Sequence, residues 1–261
     1  MADLYTTTLE NLGFALDRLT KAVPPAKFVE ISDQFPGWRY QQQLPEQAAV
    51  IKLARLLSAL HAAKILLDGG LVLDVGASKR ILDEMVEDVL FIVGALRQGE
   101  STPQHEKFLK EFWQEEFADS ETDDLRNLER DRVPRKKIRS FNARLPGVKI
   151  DPEIRKNVQD VVGKTYSGYI HGAAAHTMEI YGGEKPRFHA SGLMHTSPWL
   201  SQAEDLKNYF HRSVSVFGIV AGAFGDQPLL SKLMELRSQL EIAWGMLFDD
   251  FADSPQAPKS S

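Results

Sequence analysis

The sequence predicts an all-α protein, a helical bundle of about six to eight helices with a charged insertion or arm. Apolar residues recur at the three- and four-residue spacing of amphipathic helices over long runs of the 261-residue chain. Proline start signals and glycine stop signals bracket these runs. Strand-like segments are few and short, at 71–73 and 187–189. The helical pattern therefore decides the fold class.

Helix starts and ends are marked in order along the chain. Proline suits the first turn of a helix because that turn has a spare amide, and it stands at Pro45, Pro103, Pro152 and Pro198. The residues that precede three of these prolines and can cap the turn are Thr102, Asp151 and Ser197. Glycines that can close a helix in the left-handed conformation follow at Gly69-Gly70, Gly99, Gly182-Gly183 and Gly225.

Apolar stripes between these marks predict helices over 46–67, over 78–96 and in two segments nearer the carboxyl end. The stripe of the second segment runs through Leu82, Met85, Val89, Val93 and Leu96. Arg80, Glu84 and Glu87 fall on the opposite face at a separation that favours ion pairing. We therefore expect these three charged residues on an exposed face.

The pattern predicts one helical domain over 1–252 and a disordered tail over 253–261, which has no aromatic residues. The segment 23–45 is predicted to be an irregular strap over the bundle, with a flexible linker as the alternative. A linker would expose the apolar side chains of Phe28, Ile31, Phe35 and Trp38. The charged segment 98–147 is predicted to be an insertion or a mobile arm.

Composition excludes several classes of function. The formal net charge is −5 and the chain has no cysteine, which removes thiolate catalysis, zinc–cysteine sites and iron–sulfur clusters. The mildly acidic balance argues against a protein dedicated to nucleic acids. No secretory signal and no apolar run of about 20 residues is visible, so we expect a cytoplasmic protein that does not enter a membrane. No dinucleotide or phosphate-loop fingerprint is present, and we expect no cofactor.

The segment 152–181 is predicted to be one helix, and it carries the main candidates for chemistry. Small residues such as Gly168 allow another helix to approach closely, so we expect this helix to run through the centre of the bundle. His171 is a candidate general base, or a hydrogen-bond donor to an anionic ligand. The alternative is a core histidine bonded to a carbonyl or a carboxylate, and the same alternative applies to His176.

A metal site is a further hypothesis. Imidazole and carboxylate ligands for zinc, iron or nickel could come from His176, Glu179, His189 and His195. The alternative is a polar loop whose histidines bond locally or face water.

The stretch 130–144 is basic and follows an acidic run over 111–124. The residues of this stretch that could contact phosphates of RNA or DNA are Arg132, Arg135, Lys136, Lys137 and Arg139. The alternative is a solvated connector whose cations pair with the preceding acidic run.

The segment 166–172, Tyr-Ser-Gly-Tyr-Ile-His-Gly, resembles uncharacterised bacterial all-helical families in which a Tyr/Ser-rich helix ends in His-Gly or His-Pro. Those families carry an Arg-x-x-x-Glu pair on an earlier helix, and Arg80 with Glu84 is similar to it. They are loosely similar to HEPN-type helical domains, some of which are metal-independent ribonucleases. Arg55 and His61 have the spacing of the HEPN nuclease signature, a spacing that chance supplies about once in such a chain.

This resemblance implies a bacterial protein of defence, toxin or regulatory type. Its polar pocket would contain His171, Tyr166, Arg80 and Glu84, and its partner would be RNA or a small anionic ligand. The second hypothesis is a non-catalytic ligand-binding or protein-interaction bundle, and either protein could form a homo-oligomer. The third is a metal-dependent enzyme built on the histidines.

Overall fold

A computed structural model describes residues 3–30, 36–114, 132–145 and 151–246 and confirms the all-α class. The helices are α1 Leu4–Lys21, α2 Pro45–Asp68, α3 Val72–Gln98, α4 Pro103–Phe112, α5 Arg135–Asn142, α6 Pro152–Ile170, α7 Ala174–Thr177, α8 Ser197–Ala223 and α9 Gln227–Trp244. Six of these helices have 18 residues or more and form the bundle. None of the described helices combines the length and the apolar character needed to cross a membrane.

The core lies where α2, α3 and α8 meet, with α1 and α9 packed around them. The helix α2 is buried on more than one side, since Leu53, Leu56 and Leu60 are all fully buried. Phe210 and Phe217 of α8 fill the space opposite. The predicted apolar stripes over 46–67 and 78–96 therefore face this core, as their spacing indicated.

The strap over 23–45 contains a β-hairpin, so the prediction of an irregular segment is wrong there. The strands β1 Lys27–Glu30 and β2 Pro36–Arg39 pair antiparallel, with Phe28 opposite Trp38. Phe28 is 58% exposed and Trp38 is 67% exposed, which contradicts the expectation that the bundle buries them. The two rings contact each other instead, at 5.6 Å between centroids. Residues 31–35 lie outside the described residues.

A second small hairpin joins β3 Tyr181–Gly182 to β4 Arg187–Phe188, which confirms extended structure at 187–188. The prediction of a strand at 71–73 is wrong because α3 already begins at Val72. A short apolar run fits a buried helix as well as a strand, and here the Gly69-Gly70 turn leads directly into the helix.

Two parts of the charged segment 98–147 pack against α3. The helix α4 buries Phe108 and the helix α5 buries Ile138. The approach of α5 depends on Gly94, since a Cβ atom there would lie 2.7 Å from the ring of Phe141. Residues 115–131 and the tail 253–261 lie outside the described residues.

The prediction of a single helix over 152–181 is wrong. The helix α6 ends at Ile170, His171 is its C-cap, and Gly172 has a φ of 61°, which turns the chain back. The helix also lies at the edge of the bundle, since Ile154, with 58% exposure, and Val161, with 63%, face solvent. The prediction that it runs through the centre is therefore wrong as well.

Candidate functional site

The helix α3 carries a buried stripe of charged residues along its first two thirds. Lys79, Asp83 and Glu87 follow one another at four-residue spacing, and Asp88 lies beside them. All four are buried, at 0%, 5%, 3% and 1% exposure. The expectation that Glu87 lies on an exposed face is wrong, because α5 and α6 cover that side of α3.

The ammonium group of Lys79 is held between α3 and α8. Its Nζ atom donates to Oε1 of Gln202 at 2.5 Å and to Oδ2 of Asp205 at 2.9 Å. The ring of Tyr166 lies 5.6 Å from the same nitrogen. Burial lowers the pKa of Lys79, while Asp205 acts in the opposite direction.

The amide of Gln202 extends this network to α6. Its Nε2 atom donates to the hydroxyl of Tyr169, which in turn donates to Oε1 of Glu179 at 2.8 Å. The ring of Tyr169 lies against Gly76, where a Cβ atom would come within 2.6 Å of it. Burial raises the pKa of Tyr169, and it raises the pKa of Tyr166 to about 12.

The carboxylate of Asp83 also accepts hydrogen bonds from side chains of α8. Its Oδ2 atom accepts from the hydroxyl of Tyr209 at 2.9 Å and its Oδ1 atom accepts from Arg212 at 2.9 Å. Burial raises the pKa of Tyr209, and the charge of Asp83 adds to this rise. A phenol with a raised pKa stays protonated and donates to the carboxylate.

The remaining carboxylates of the stripe bind cations from α2 and α5. Arg139 donates from Nε to Oε1 of Glu87 at 2.8 Å and from Nη1 to Asp160 at 2.7 Å. Asp88 pairs with Arg135 and, at 2.7 Å, with Nζ of Lys52. Burial raises the pKa of Glu87, and Arg139 acts in the opposite direction.

The structure brings three of the four predicted catalytic residues to the interface of α3 and α6. Arg80 pairs with Glu84 at 2.8 Å and donates to the carbonyl of Gly163 at 3.2 Å. Tyr166 belongs to the network around Lys79. His171 is exposed at the end of α6, and no hydrogen bond or ion pair among the described residues joins its side chain to the other three.

Each of the four residues of the metal hypothesis makes a local contact. His176 packs against the ring of Tyr169 at 4.3 Å, and Glu179 accepts from the same tyrosine. His189 bonds the carbonyl of Gly182 at 3.0 Å, and His195 packs against Trp199. The described part of the chain contains no group of three or more histidines and carboxylates that could hold a metal ion.

The residues of the basic stretch have two different environments. Arg135 and Arg139 form ion pairs with carboxylates of α3, and Arg139 is 6% exposed. Arg132 pairs with Glu111 at 3.4 Å, while Lys136 and Lys137 are exposed. The first two side chains are therefore occupied within the fold, and a contact with phosphates would depend on the other three.

A cavity of about 260 Å³ lies between the carboxyl-terminal part of α3 and the helix α4. Its wall is mainly apolar and includes Phe91, Ile92, Leu96 and Phe108. Glu100 lies in the exposed loop between the two helices and also contributes to the wall. Such a wall suits a small apolar molecule.

His105 of α4 also lines this cavity and is 3% exposed. Its ring is stacked on Phe91 at 4.1 Å and lies edge-on to Phe141 at 4.6 Å. Its Nδ1 atom lies 3.1 Å from the backbone nitrogen of Thr102 and 2.8 Å from the hydroxyl of Thr102, as part of a capping box. Its Nε2 atom is fully buried and does not reach the cavity.

Burial lowers the pKa of His105, while a hydrogen bond of its ring to the backbone carbonyl of Phe91 acts in the opposite direction. Buried atoms of the described residues that lack a hydrogen-bond partner include Oε2 of Glu87 and Nδ1 of His176.

Comparisons of the chain with protein-family models, with curated proteins and with solved structures found no match. The geometry therefore carries the functional argument. Sequence reasoning missed both Lys79 and His105. The sequence Thr-Pro-Gln-His at 102–105 has the spacing of a capping box, which could have indicated that His105 turns back toward the helix start.

Proposed function

We propose that the protein is a non-catalytic ligand-binding helical protein whose ligand occupies the cavity between α3 and α4. The observation that carries this proposal is the cavity itself, which has a volume of about 260 Å³ and a mainly apolar wall. A concave space of this kind suits a small apolar ligand.

The chemistry of the wall supports binding rather than turnover. The Nδ1 atom of His105 is used by the start of α4, so its lone pair is not available to remove a proton from a substrate. Burial also lowers the pKa of this imidazole, which makes it a weaker base. By contrast, Lys79 and Tyr169 bond to other groups of the fold.

A thermal-shift screen of small apolar compounds tests this proposal. A compound present at 100 times its Kd should stabilise the native state by about 2.7 kcal/mol, which raises Tm by roughly 5 to 10 °C. Ala95→Phe fills the cavity from α3 and should abolish the shift. Arg97→Phe, on an exposed position of the same helix, is the matched control and should keep it.

A compound that stabilises the wild type and Ala95→Phe equally binds elsewhere and contradicts the proposal. The absence of any stabilising compound would also contradict it, as would chemical turnover of a compound that binds in the cavity.

A HEPN-like role in defence, toxicity or regulation is the second candidate. One contact favours it, because Arg80 reaches from α3 to the carbonyl of Gly163, one turn before Tyr166 on α6. On this proposal His171→Ala abolishes toxicity or RNA cleavage while the variant still melts cooperatively. Unchanged activity would remove His171 from the mechanism, and a lost melting transition would show a structural role.

A further inference from the structure

The helix α6 exposes an apolar stripe that is separate from the cavity. Ile154, Val158 and Val161 are 58%, 57% and 63% exposed. Each of the other long helices among the described residues exposes at most one large apolar side chain. We infer that this stripe is a contact between two copies of the chain, which pack their α6 helices antiparallel about a two-fold axis.

The stripe lies on the side of α6 that faces away from the bundle. At about 100° per residue, the three side chains and Thr165 fall within an arc of about 60°. Gly163 lies on the opposite side of the helix, against side chains of α3 and α5. The hydroxyl of Thr165 donates to the carbonyl of Val161 at 3.1 Å, so Thr165 brings no unpaired donor into an apolar contact.

The charges beside the stripe match an antiparallel pair. Glu153 and Lys164 lie on the same flank of the stripe, about 20° apart around the helix and near its two ends. A two-fold axis perpendicular to both helices keeps this flank on one side and reverses the chain direction. Glu153 of each copy therefore lies opposite Lys164 of the other copy.

The apolar and the charged contacts need nearly the same register. The stripe is centred between Val158 and Val161, and this point lies about 1.5 Å along the helix axis from the midpoint of Glu153 and Lys164. Each pair of opposite charges is then offset by about 3 Å along the axis, which long side chains can span. One arrangement therefore packs the stripe and pairs the charges.

Both charged side chains can reach a partner. The side chain of Glu153 is 76% exposed and pairs with Lys156 at 3.6 Å, and exposed pairs of this kind contribute little to stability. Lys164 is exposed as well. The stripe of one helix is small beside the roughly 800 Å² that each partner buries in a stable complex, so we expect a weak dimer that dissociates on dilution.

Analytical ultracentrifugation of the full chain from about 5 to 500 µM tests the inference. The wild type should change from monomer to dimer over this range. Val158→Glu places a carboxylate of each copy in the apolar contact and should weaken the dimer about tenfold or more. Ile242→Glu, at a position of α9 that is 83% exposed, is the matched control and should dimerise like the wild type.

Charge reversal tests the pairing of the flanks. Lys164→Glu places carboxylates opposite each other and should weaken the dimer about tenfold. Adding Glu153→Lys to this variant reverses both charges of each pair and should restore the affinity of the wild type.

Cross-linking tests the direction of the helices, since the chain has no cysteine of its own. In the antiparallel pair Ile154 of one copy faces Thr165 of the other, whereas the two copies of Ile154 lie about 17 Å apart along the axis. A disulfide cannot span that distance. A mixture of Ile154→Cys and Thr165→Cys should therefore form cross-linked dimers on mild oxidation, and neither variant should do so alone.

A wild type that stays monomeric at every concentration would overturn the inference, and this result needs no variant. A dimer that Val158→Glu leaves intact uses another surface and would overturn it too. So would a double charge reversal that fails to restore the affinity, or a cross-link that forms as readily in Ile154→Cys alone. None of these results depends on the cavity, so the proposed function is tested separately.

Discussion

The two parts of α3 differ in what they bury. Between residues 76 and 88 the helix buries Lys79, Asp83 and Asp88, and each has partners on a neighbouring helix. Over residues 91–96 the helix is apolar and forms one wall of the cavity beside α4. The first arrangement joins helices through charged groups, whereas the second leaves an apolar space between two helices.

This comparison shows why charge alone is a poor guide to a functional site. The stripe around Lys79 has the more reactive side chains, but its hydrogen bonds are made within the fold. The cavity has few polar groups, but its apolar wall encloses space for a ligand. Concave apolar space, rather than polarity, distinguishes this candidate binding site from the structural network.

The largest expected effect is that of Arg139→Ala in the stripe. Glu87 is 3% exposed. After this change its cationic partner is Arg135, whose Nη1 atom lies 3.8 Å from Oε2 of Glu87. We expect a loss of about 3 to 5 kcal/mol in the free energy of unfolding, measured by urea denaturation. Lys137→Ala on the exposed face of α5 is the matched control and should change it by less than about 0.5 kcal/mol.

The double variant Arg139→Met with Glu87→Leu sharpens this test. Removing both partners leaves no unpaired buried charge, so most of the lost stability should return. A double variant as unstable as Arg139→Ala would contradict the claim that the unpaired carboxylate causes the loss. An Arg139→Ala variant within 1 kcal/mol of the wild type would contradict the importance of the pair itself.

Tyr209→Phe is expected to have an intermediate effect. It removes one buried hydrogen bond to Asp83, and such bonds to charged groups contribute about 1.5 to 3 kcal/mol. Arg212 continues to hold the other oxygen of Asp83, which limits the loss. Tyr181→Phe, at a position 42% exposed, is the control in the same denaturation experiment and should be nearly neutral. Equal effects of the two substitutions would contradict a role for the buried bond.

The smallest expected effect is the acid sensitivity that His105 confers. Burial lowers its folded-state pKa below the ordinary value of 6.5, so the unfolded chain binds the proton more readily. The contribution of His105 to the free energy of unfolding should therefore be complete above pH 6.5. It should decrease as the pH falls from 6.5 toward the folded-state pKa. His105→Phe should lose this part of the pH dependence in urea titrations.

A second buried histidine, His211, provides an independent comparison for that measurement. Burial lowers its pKa too, against the effect of Glu241, so it contributes in the same direction. His211→Gln should remove a separate part of the acid sensitivity, and the two parts should add. A wild type and a His105→Phe variant with the same pH dependence would contradict the buried neutral imidazole.

The sequence was sufficient to predict five of the six long helices and several of their ends, such as Gly69 and Gly99, but α1 was not predicted. The proline signals place Pro45, Pro103, Pro152 and Pro198 in the first turns of four helices, as predicted. The break at Gly172 was missed because the residues on both sides are compatible with a helix, and only the chain reversal places the ring of His176 edge-on to Tyr169. The hairpin over 27–39 was missed because its aromatic residues were expected to pack on the bundle as part of an irregular strap.

The buried side of α3 was harder to predict because burial depends on partners that are distant in sequence. Glu87 lies one turn after Glu84, which forms a half-buried pair with Arg80, and only the packing of α5 gives Glu87 Arg139 as a partner. Tyr166 was identified among the candidate residues, but its neighbour Lys79 belongs to another helix. The cavity between α3 and α4 can be found only once the two helices are packed together.

The most direct test of the account is the thermal-shift screen of small apolar compounds with the wild type, Ala95→Phe and Arg97→Phe. We predict a compound that raises Tm of the wild type and of Arg97→Phe but not that of Ala95→Phe, because Ala95 lines the cavity. A compound that stabilises all three proteins equally, or the absence of any stabilising compound, would contradict the claim that the cavity between α3 and α4 is a binding site.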